Sequence, residues 1–203
     1  MTMLVLKMLL VMVIAYLLGS IPTGYLIVKK LKGIDIRQTG SGSTGATNVK
    51  RIMGTKWFFT VMLLDALKGA LAVWIAVHYF DFLICRGLSP VLAAISVIVG
   101  HSKSIFLGFT GGKSVATGVG TILALCWPVG LIIAAIWGTI TYLSKYVSLG
   151  SVIAISMAPV LMTLFDQNVY YICFAALGAI YVVLMHKENI KRLIAGTESK
   201  VRK

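Results

Sequence analysis

The sequence predicts an all-α integral membrane protein that forms a single domain over residues 1–203 and crosses the membrane seven times. Three observations lead to this prediction. Hydrophobic residues make up 59% of the chain and charged residues only 12%, whereas an ordinary soluble domain is about half apolar and about a quarter charged. Apolar runs that could span a bilayer recur along the chain. Basic residues fall mainly in the short segments between those runs.

The apolar segments define the predicted spans in chain order. They cover about 4–28, 57–80, 88–107, 114–126, 128–144, 149–165 and 169–186. The first is too long for the core of a signal peptide and lacks a clear small-residue cleavage site, so we expect it to be a retained span. The fourth is short for a bilayer that needs about 20 residues. Residues 114–142 could instead form one span that is interrupted at Trp127 and Pro128.

The positions of the basic residues decide between seven and six spans. With seven, the basic loops and the tail from Lys187 to Lys203 lie on one side of the membrane. With six, the tail moves to the other side and the asymmetry is lost. Because basic loops are retained in the cytoplasm, seven spans are favoured, with the N-terminus outside and the C-terminus in the cytoplasm. The net charge of +13 then reflects orientation, so membrane lipid is an expected partner and nucleic acid is not.

A polar loop after the first span differs from this apolar background. Residues 40–48 read Gly-Ser-Gly-Ser-Thr-Gly-Ala-Thr-Asn, and Lys50 and Arg51 follow. Glycine lets backbone N–H groups turn toward one point, hydroxyls add donors, and the cations supply charge. The composition predicts a phosphate-binding loop, and a flexible polar connection between two spans is the alternative. The candidate ligands are Ser41, Gly42, Ser43, Thr47, Asn48 and Arg51.

A second polar cluster, Gly111-Gly112-Lys113-Ser114, opens the fourth span. It places a lysine and backbone donors at a helix N-terminus, where unpaired N–H groups and the helix dipole favour anions. It falls short of a nucleotide-binding P-loop, which would need glycine at Leu107. A glycine-rich tight turn between two spans is the alternative interpretation.

A third cluster ends the last span, where His186, Asn189 and Arg192 recur at every third residue. On a helix that continues out of the membrane they share one face. They offer an imidazole, an amide and a guanidinium to a phosphate or a carbonyl oxygen. A cationic helix end with an interfacial histidine is the alternative. Ser148, which opens the sixth span, could be its N-cap or a further donor to the same site.

Asp65 and Lys68 lie three residues apart within the second span. Ionisable residues at such a depth usually face the protein interior, and this spacing lets one helix face hold both. We therefore expect a structural, charge-neutralised pair in preference to a catalytic one.

Several familiar catalytic patterns are missing from the sequence. No histidine is followed five residues later by aspartate, and no Gly-x-Ser-x-Gly motif occurs in a strand–turn–helix setting. The chain has only six acidic residues, which disfavours a Mg²⁺-dependent kinase or phosphatase because Mg²⁺ needs oxygen ligands. The sequence therefore predicts a cationic site rich in hydrogen-bond donors, with no metal and no cofactor.

These clusters resemble those of one family, the bacterial acyl-phosphate:glycerol-3-phosphate acyltransferases of the PlsY type. The resemblance covers nearly the whole chain. Its motifs are Gly19-Ser20-Ile21-Pro22 with Gly24, Gly40-Ser41-Gly42-x-x-Gly45-Ala46-Thr47-Asn48 with Arg51, Leu64-Asp65-x-x-Lys68-Gly69, Gly100-His101 with Phe106, Gly111-Gly112-Lys113-x-Val115-Ala116-Thr117, Tyr146-x-Ser148, and His186-x-x-Asn189-x-x-Arg192-x-x-x-Gly196-x-Glu198-x-Lys200. One departure is Ser43, where many members carry asparagine.

The resemblance implies transfer of a long acyl group from acyl phosphate to the sn-1 hydroxyl of glycerol 3-phosphate, giving lysophosphatidic acid and phosphate. This is the first acylation of phospholipid synthesis. It also implies a multi-pass enzyme of the bacterial cytoplasmic (inner) membrane whose active site faces the cytoplasm. The expected soluble partner is the phosphate acyltransferase that makes acyl phosphate. A membrane transporter or channel for an organic phosphate is the alternative function, because the same cations would serve it.

Residue roles follow from the charges of these substrates. Ser41, Gly42, Thr47 and Asn48 are assigned to one phosphate, with charge from Lys113 and Arg51, and Ser43, Gly111, Gly112 and Arg192 are further phosphate-binding candidates. The catalytic candidates are Lys113, Ser148, His186 and Asn189, the last three orienting the second substrate or the reacting carbonyl. The general base is either His186 or a phosphate oxygen of the donor. The donor is favoured because no carboxylate is evident beside the imidazole.

Overall fold

A computed structural model describes residues 2–80 and 86–200. Over these residues the secondary structure is helical, apart from an isolated bridge between Ser104 and Thr110. The α-helices are α1 (Thr2–Ser20), α2 (Thr23–Lys32), α3 (Ala46–Met53), α4 (Thr55–Tyr79), α5 (Leu88–Ser102), α6 (Val115–Leu125), α7 (Trp127–Ser144), α8 (Val147–Ser156), α9 (Ala158–Leu164), α10 (Val169–Met185) and α11 (Lys187–Ile194). Two short 3-10 helices cover Ile36–Gln38 and Ile105–Leu107. The chain divides into two compact units, Met1–Ala124 and Leu125–Lys203.

Several of these helices are long and apolar enough to cross a membrane. Among the described residues there are four such candidates, Thr2–Lys32, Thr55–Tyr79, Trp127–Ser144 and Val147–Leu164, and a fifth if α10 and α11 form one bent span. The helices α5 and α6 are apolar but shorter. Over the described residues the all-helical class is confirmed, whereas the number of crossings stays a prediction. The predicted segments 4–28 and 149–165 are each divided into two helices, and α5 ends at Ser102, short of the predicted residue 107. Helices α6 and α7 are separated by Cys126, whose backbone is extended, at the interruption that the sequence marks with Trp127 and Pro128.

Close packing of α1 against α5 organises the first unit. Small buried residues line this contact and extend it to α4. They are Val11, Ala15, Ala72, Ala76, Ala93 and Val97. Two glycines bring the helix backbones together, because a Cβ on Gly19 would overlap the carbonyl oxygen of Val97 and one on Gly100 would overlap that of Tyr16. Small residues at such contacts are typical of membrane helices, where close backbone approach supplies the packing energy.

The first helix is interrupted just before the polar loop. Pro22 lacks a backbone N–H, so α1 ends at Ser20 and α2 begins at Thr23. Lys68 on α4 donates to the carbonyl oxygen of Ile21 at 2.9 Å, which satisfies an acceptor that the interruption exposes. A smaller core of Val28, Ile36, Val49 and Val61 then fixes α2 and α3 on α4.

The second unit is built around α8. Helix α7 packs on α8, α8 packs on α10, and α11 also contacts α8. Lys145 adopts a left-handed conformation (φ 66°) between α7 and α8 and turns the chain back. A Cβ on Gly150 would overlap the side chain of Thr141, so the α7–α8 contact requires glycine there. This arrangement places Ser148, at the start of α8, beside α11 and the segment that follows it.

Candidate active site

The polar loop Gly40–Arg51 begins between α2 and α3 and continues into the first turns of α3, and its glycine-rich part is folded on its own backbone. Gly40 and Gly42 have positive φ values of 57° and 70°, which glycine adopts without strain. The N–H of Gly42 donates to the carbonyl oxygen of Thr39, and the N–H of Gly45 donates to the hydroxyl of Ser43. The predicted phosphate-binding loop is thus a defined turn and not a loose connection.

Asn48 holds this turn from inside. Its side-chain amide donates to the carbonyl oxygens of Ile36, Thr39 and Ser43 at 3.3, 3.0 and 2.9 Å. Its Oδ1 accepts from the N–H of Ser41 at 3.1 Å, and the residue is buried. Both amide donors are therefore committed to the loop backbone, so the structure gives Asn48 a positioning role where direct phosphate contact was expected.

The other predicted ligands of this loop remain on its surface. Ser41, Gly42 and Arg51 are exposed, and Ser43 and Thr47 are half-buried. The departure at Ser43 has a visible function, since its hydroxyl accepts from Gly45 at 3.2 Å. The loop thus presents a hydroxyl, a glycine turn and a guanidinium at its accessible face.

Arg37 joins the segment before this loop to the segment before the second cluster. Its Nη1 donates to the carbonyl oxygen of Leu107 at 3.4 Å, and its guanidinium lies 5.4 Å from the ring centroid of Tyr25. It also forms a salt bridge with Asp35 at 2.6 Å. Hydrogen bonds from Arg37 lower the pKa of Asp35 to about 2. Arg37 thus links the Asp35 carboxylate to the backbone of the segment 105–107.

The second cluster, Gly111–Ser114, packs on the end of α5. The N–H of Gly112 donates to the carbonyl oxygen of His101 at 3.1 Å. Ser114, with a positive φ of 60°, donates from its hydroxyl to the carbonyl oxygen of Ile98 at 2.9 Å. Helix α6 begins at the next residue, Val115, so half-buried Lys113 lies one residue before the helix N-cap position. The predicted position of the cluster at a helix start is confirmed.

A buried ion pair in α4 lies close to this cluster. Lys68 Nζ and Asp65 Oδ1 are 2.9 Å apart, and both side chains are buried, as the sequence predicts for a pair at this spacing. Asp65 Oδ1 also accepts from the hydroxyl of Thr23 at 2.9 Å. Nδ1 of His101 lies 3.6 Å from the same oxygen, which is a polar contact and too long for a hydrogen bond. The pair joins α2, α4 and α5 within the first unit.

The helix that carries the third cluster is bent at His186. The sequence predicts one helix that continues out of the membrane and carries His186, Asn189 and Arg192 on a common face, and the continuous helix is wrong. Helices α10 and α11 meet at an angle of 60°, with His186 at the junction. Nδ1 of the buried His186 lies 2.8 Å from the carbonyl oxygen of Val182, so the ring is oriented by the end of its own helix.

Glu198, which is not among the predicted site residues, connects the polar residues of the second unit. Ser148 Oγ and Asn189 Nδ2 donate to its Oε1 at 2.8 and 2.6 Å, and Arg192 Nε donates to its Oε2 at 2.7 Å. Burial raises the pKa of Glu198, but the three hydrogen bonds outweigh this and lower the pKa below its usual value. Glu198 therefore adds a carboxylate to the polar side chains of this unit. The sequence signal for Glu198 was its place in the motif that begins at His186 and ends at Lys200.

The structure thus brings the predicted residues together in separate groups within each unit. In the first unit, Asn48 organises the loop that carries Ser41, Gly42, Ser43, Thr47 and Arg51, while Gly111 and Gly112 pack on His101 before Lys113. In the second, Ser148, Asn189 and Arg192 converge on Glu198. Over residues 2–80 and 86–200, no cluster of three or more His, Cys, Asp or Glu side chains could hold a metal ion. The expectation that no metal or cofactor is needed stays an expectation.

The chain matches known proteins over nearly its whole length. The family model for glycerol-3-phosphate acyltransferase matches residues 9–196. The glycerol-3-phosphate acyltransferases of Trichormus variabilis and Gloeobacter violaceus are 48% and 43% identical to it. The matches cover 94% and 92% of this chain, and 90% and 91% of those proteins.

Solved structures give the same result. The chain is similar to two crystal structures of PlsY (YgiH), an integral membrane glycerol 3-phosphate acyltransferase, at 36% identity. The glycerol 3-phosphate form matches with a TM-score of 0.89 over 96% of each chain, and the lysophosphatidic acid form with 0.86 over 96% and 95%. The fold and its apolar helices define a helical integral membrane acyltransferase. Within that class, the chain belongs to the glycerol-3-phosphate acyltransferase family, which confirms the resemblance that the motifs indicated.

Proposed function

We propose that this protein transfers a fatty acyl group from acyl phosphate to the sn-1 hydroxyl of glycerol 3-phosphate, giving lysophosphatidic acid and phosphate. The observation that carries the proposal is the loop Gly40–Arg51. Asn48 fixes its backbone from inside, so that Ser41, Gly42 and Arg51 remain accessible for an anion. A pre-formed loop binds a phosphate without ordering cost at the moment of binding. The names of the relatives support the acceptor, glycerol 3-phosphate.

The chemistry requires alignment more than strong acid catalysis. The acceptor oxygen attacks the acyl carbon, the bond from that carbon to the phosphate oxygen breaks, and the hydroxyl proton leaves. Phosphate is a good leaving group, so the protein must orient two anions, offset their repulsion and stabilise the developing oxyanion. We assign Ser41, Gly42, Thr47 and Arg51 to phosphate binding in the first unit, together with Gly111, Gly112 and Lys113. Asn48 supports that loop, where Ser43 is a further donor.

Residues of the second unit are assigned to the other half of the chemistry. Ser148, Asn189 and Arg192 are held by Glu198, which fixes their side chains for contact with substrate. Nδ1 of His186 must carry the proton toward the Val182 carbonyl, because a carbonyl oxygen only accepts. In the neutral ring Nε2 is then an acceptor. Both Nε2 and an oxygen of the leaving phosphate can take the hydroxyl proton.

The cellular setting follows from charge and hydropathy. We propose one domain over residues 1–203 with seven spans in the bacterial inner membrane, the N-terminus outside, and the site and C-terminus in the cytoplasm. Lipid surrounds the helices, and a soluble phosphate acyltransferase supplies acyl phosphate. The distribution of the basic residues along the sequence supports this orientation.

The test is an assay on purified protein in detergent or lipid. Phosphate release is measured with acyl phosphate and glycerol 3-phosphate, together and separately. Release above background should require both substrates. Lys113→Ala should lower kcat/KM by about 100-fold, since it removes a charge that offsets the anions. The exposed Lys30, outside the polar clusters, provides the matched control: Lys30→Ala should stay within about twofold of the wild type.

Two further results of the assay are decisive. If no phosphate is released while protein-loaded liposomes accumulate labelled glycerol 3-phosphate, the protein is a transporter and the proposal fails. For the proton acceptor, His186→Gln is measured at saturating substrate. A large loss of kcat with normal KM identifies His186 as the base, whereas a loss of affinity alone assigns the proton to the leaving phosphate.

A further inference from the structure

The contact between Asp65 and His101 has no assigned part in the reaction. Asp65 is already neutralised by Lys68 at 2.9 Å and receives a hydrogen bond from Thr23. His101, buried at the end of α5, brings a third group to the same carboxylate oxygen. The charge balance of the pair does not require this histidine. Because Nδ1 of the His101 ring faces Asp65, the other ring nitrogen, Nε2, is directed away from Asp65.

That opposite edge supports the glycine loop. A Cβ on Gly112 would overlap Nε2 of the His101 ring, and a Cβ on Gly111 would overlap the carbonyl oxygen of the same residue. The N–H of Gly112 also donates to that carbonyl oxygen at 3.1 Å. The two glycines therefore lie directly on His101, one against its backbone and one against its ring, and Lys113 follows at once.

We propose that His101, oriented by Asp65, is a positioning residue that sets the conformation of Gly111–Lys113 and thereby the placement of Lys113 at the start of α6. This rests on the proposed function, in which Lys113 offsets substrate charge. The connection runs from Asp65 on α4, through the ring of His101 on α5, to the backbone of Gly112. A displacement of about 1 Å in a catalytic group can cost on the order of 100-fold in rate, so a rigid support beneath the loop has a kinetic consequence.

The first experiment compares kinetics and exchange for the intact protein. His101→Ala should lower kcat/KM at least tenfold, whereas His101→Gln, which can keep a polar group against Gly112, should stay within about fivefold of the wild type. His78, an exposed histidine on α4 whose ring contacts its own helix backbone, is the matched control. His78→Ala should leave kcat/KM unchanged. Equal activity of His101→Ala and the wild type would overturn the proposal.

The second experiment uses the predicted overlap. Gly112→Ala forces a methyl group into the His101 ring and should lower kcat/KM at least tenfold. In the His101→Ala background the ring is gone, so adding Gly112→Ala should cost less than threefold more. This non-additivity is expected only of residues in direct contact. If the two losses multiply instead, the ring does not support the loop and the proposal fails.

A readout without activity separates this proposal from the proposed function. Hydrogen exchange of peptides that cover residues 108–114 should rise at least fivefold in His101→Ala, because the loop loses the ring against which Gly112 packs, while peptides from α1 stay unchanged. If the wild type shows no acyltransferase activity, the proposed function fails and exchange alone decides the positioning role. A rise then supports that role, and unchanged exchange at residues 108–114 overturns it.

Discussion

At the scale of single residues, Glu198 illustrates how one carboxylate orders several hydrogen-bond donors. Its side chain is only 5% exposed and accepts hydrogen bonds from Ser148, Asn189 and Arg192. Each donor favours the ionised carboxylate, which explains the lowered pKa in spite of burial. A group whose pKa is lowered by folding stabilises the native state above its unfolded pKa. That contribution is lost as the pH falls through the lower, folded value.

The stability of the protein in detergent should therefore fall below about pH 4.5, the ordinary pKa of glutamate. Part of this slope should vanish in Glu198→Gln, because glutamine does not titrate. At pH 7 the same change should lower the free energy of unfolding by about 1–3 kcal/mol, since it weakens charge-assisted hydrogen bonds. Thermal unfolding as a function of pH measures both effects.

Glu188 is the matched control for this experiment. It pairs with Lys191 at 3.2 Å, but its side chain is 58% exposed, and such pairs contribute little to stability. Glu188→Gln should change neither the midpoint nor its pH dependence. An acid slope that is identical in the wild type and in Glu198→Gln would show that Glu198 is not the titrating group.

Asn48 shows what the sequence could and could not predict at this scale. The glycine-rich composition predicted a structured loop for anions, and the structure contains a defined loop there. The direction of the Asn48 amide depends on where the carbonyl oxygens of Ile36 and Thr39 lie. Those positions come from a turn 9–12 residues earlier, and residue type alone does not give them. A potential ligand and a loop support therefore look alike in sequence.

At the scale of elements, the α1–α5 contact depends on the absence of two side chains. Gly19 and Gly100 let each helix rest on carbonyl oxygens of the other, those of Val97 and Tyr16. Gly100 also immediately precedes His101, so this contact sets the position of the end of α5. The packing of α1 on α5 thus helps to fix the position of His101, which contacts the second cluster.

Gly100→Ala should lower the free energy of unfolding by about 1–3 kcal/mol, because the added methyl group meets backbone that cannot move aside. The midpoint of thermal unfolding in detergent measures the loss. Gly138, in α7, is the control, because a Cβ there meets no atom within 4 Å. Gly138→Ala should keep or raise the midpoint, since alanine favours helix by about 1 kcal/mol over glycine. Equal effects of both changes would contradict the tight α1–α5 contact.

The helix segments were largely predictable, whereas their interruptions were only partly so. The sequence marked an interruption at Trp127 and Pro128, where α7 begins. The predicted segment 4–28, in contrast, ran through the break at Pro22 that separates α1 from α2. The bend between α10 and α11 has no proline or glycine to mark it. His186 there satisfies the helix end with its own ring, which a three-residue repeat of polar side chains does not reveal.

At the scale of the whole molecule, the basic residues predict which side of the membrane each segment occupies. The net charge of +13 is concentrated between apolar segments and in the tail. Seven spans put the two termini on opposite sides, and six put them on the same side. The number of crossings therefore has a direct experimental readout.

Single cysteines are introduced after the three native cysteines are replaced by alanine. A membrane-impermeant maleimide applied to intact cells should label Thr2→Cys and leave Ser199→Cys unlabelled until the membrane is permeabilised. Lys30→Cys, in the basic segment after the first span, should behave like Ser199→Cys and serves as the internal reference. Labelling of both termini from the same side would rule out seven spans.

The interruption at Ile21 and Pro22 has a consequence for biogenesis. Helix α4 enters the membrane with Asp65 and Lys68, each of which costs about 2.5–3.5 kcal/mol at the centre of a lone inserted helix. Their partners, the hydroxyl of Thr23 and the carbonyl oxygen of Ile21, belong to the chain that is synthesised earlier. The helices α1 and α2, which the interruption separates, can thus already be in the bilayer when α4 is synthesised. The order of translation therefore makes the polar partners of Asp65 and Lys68 before it makes α4.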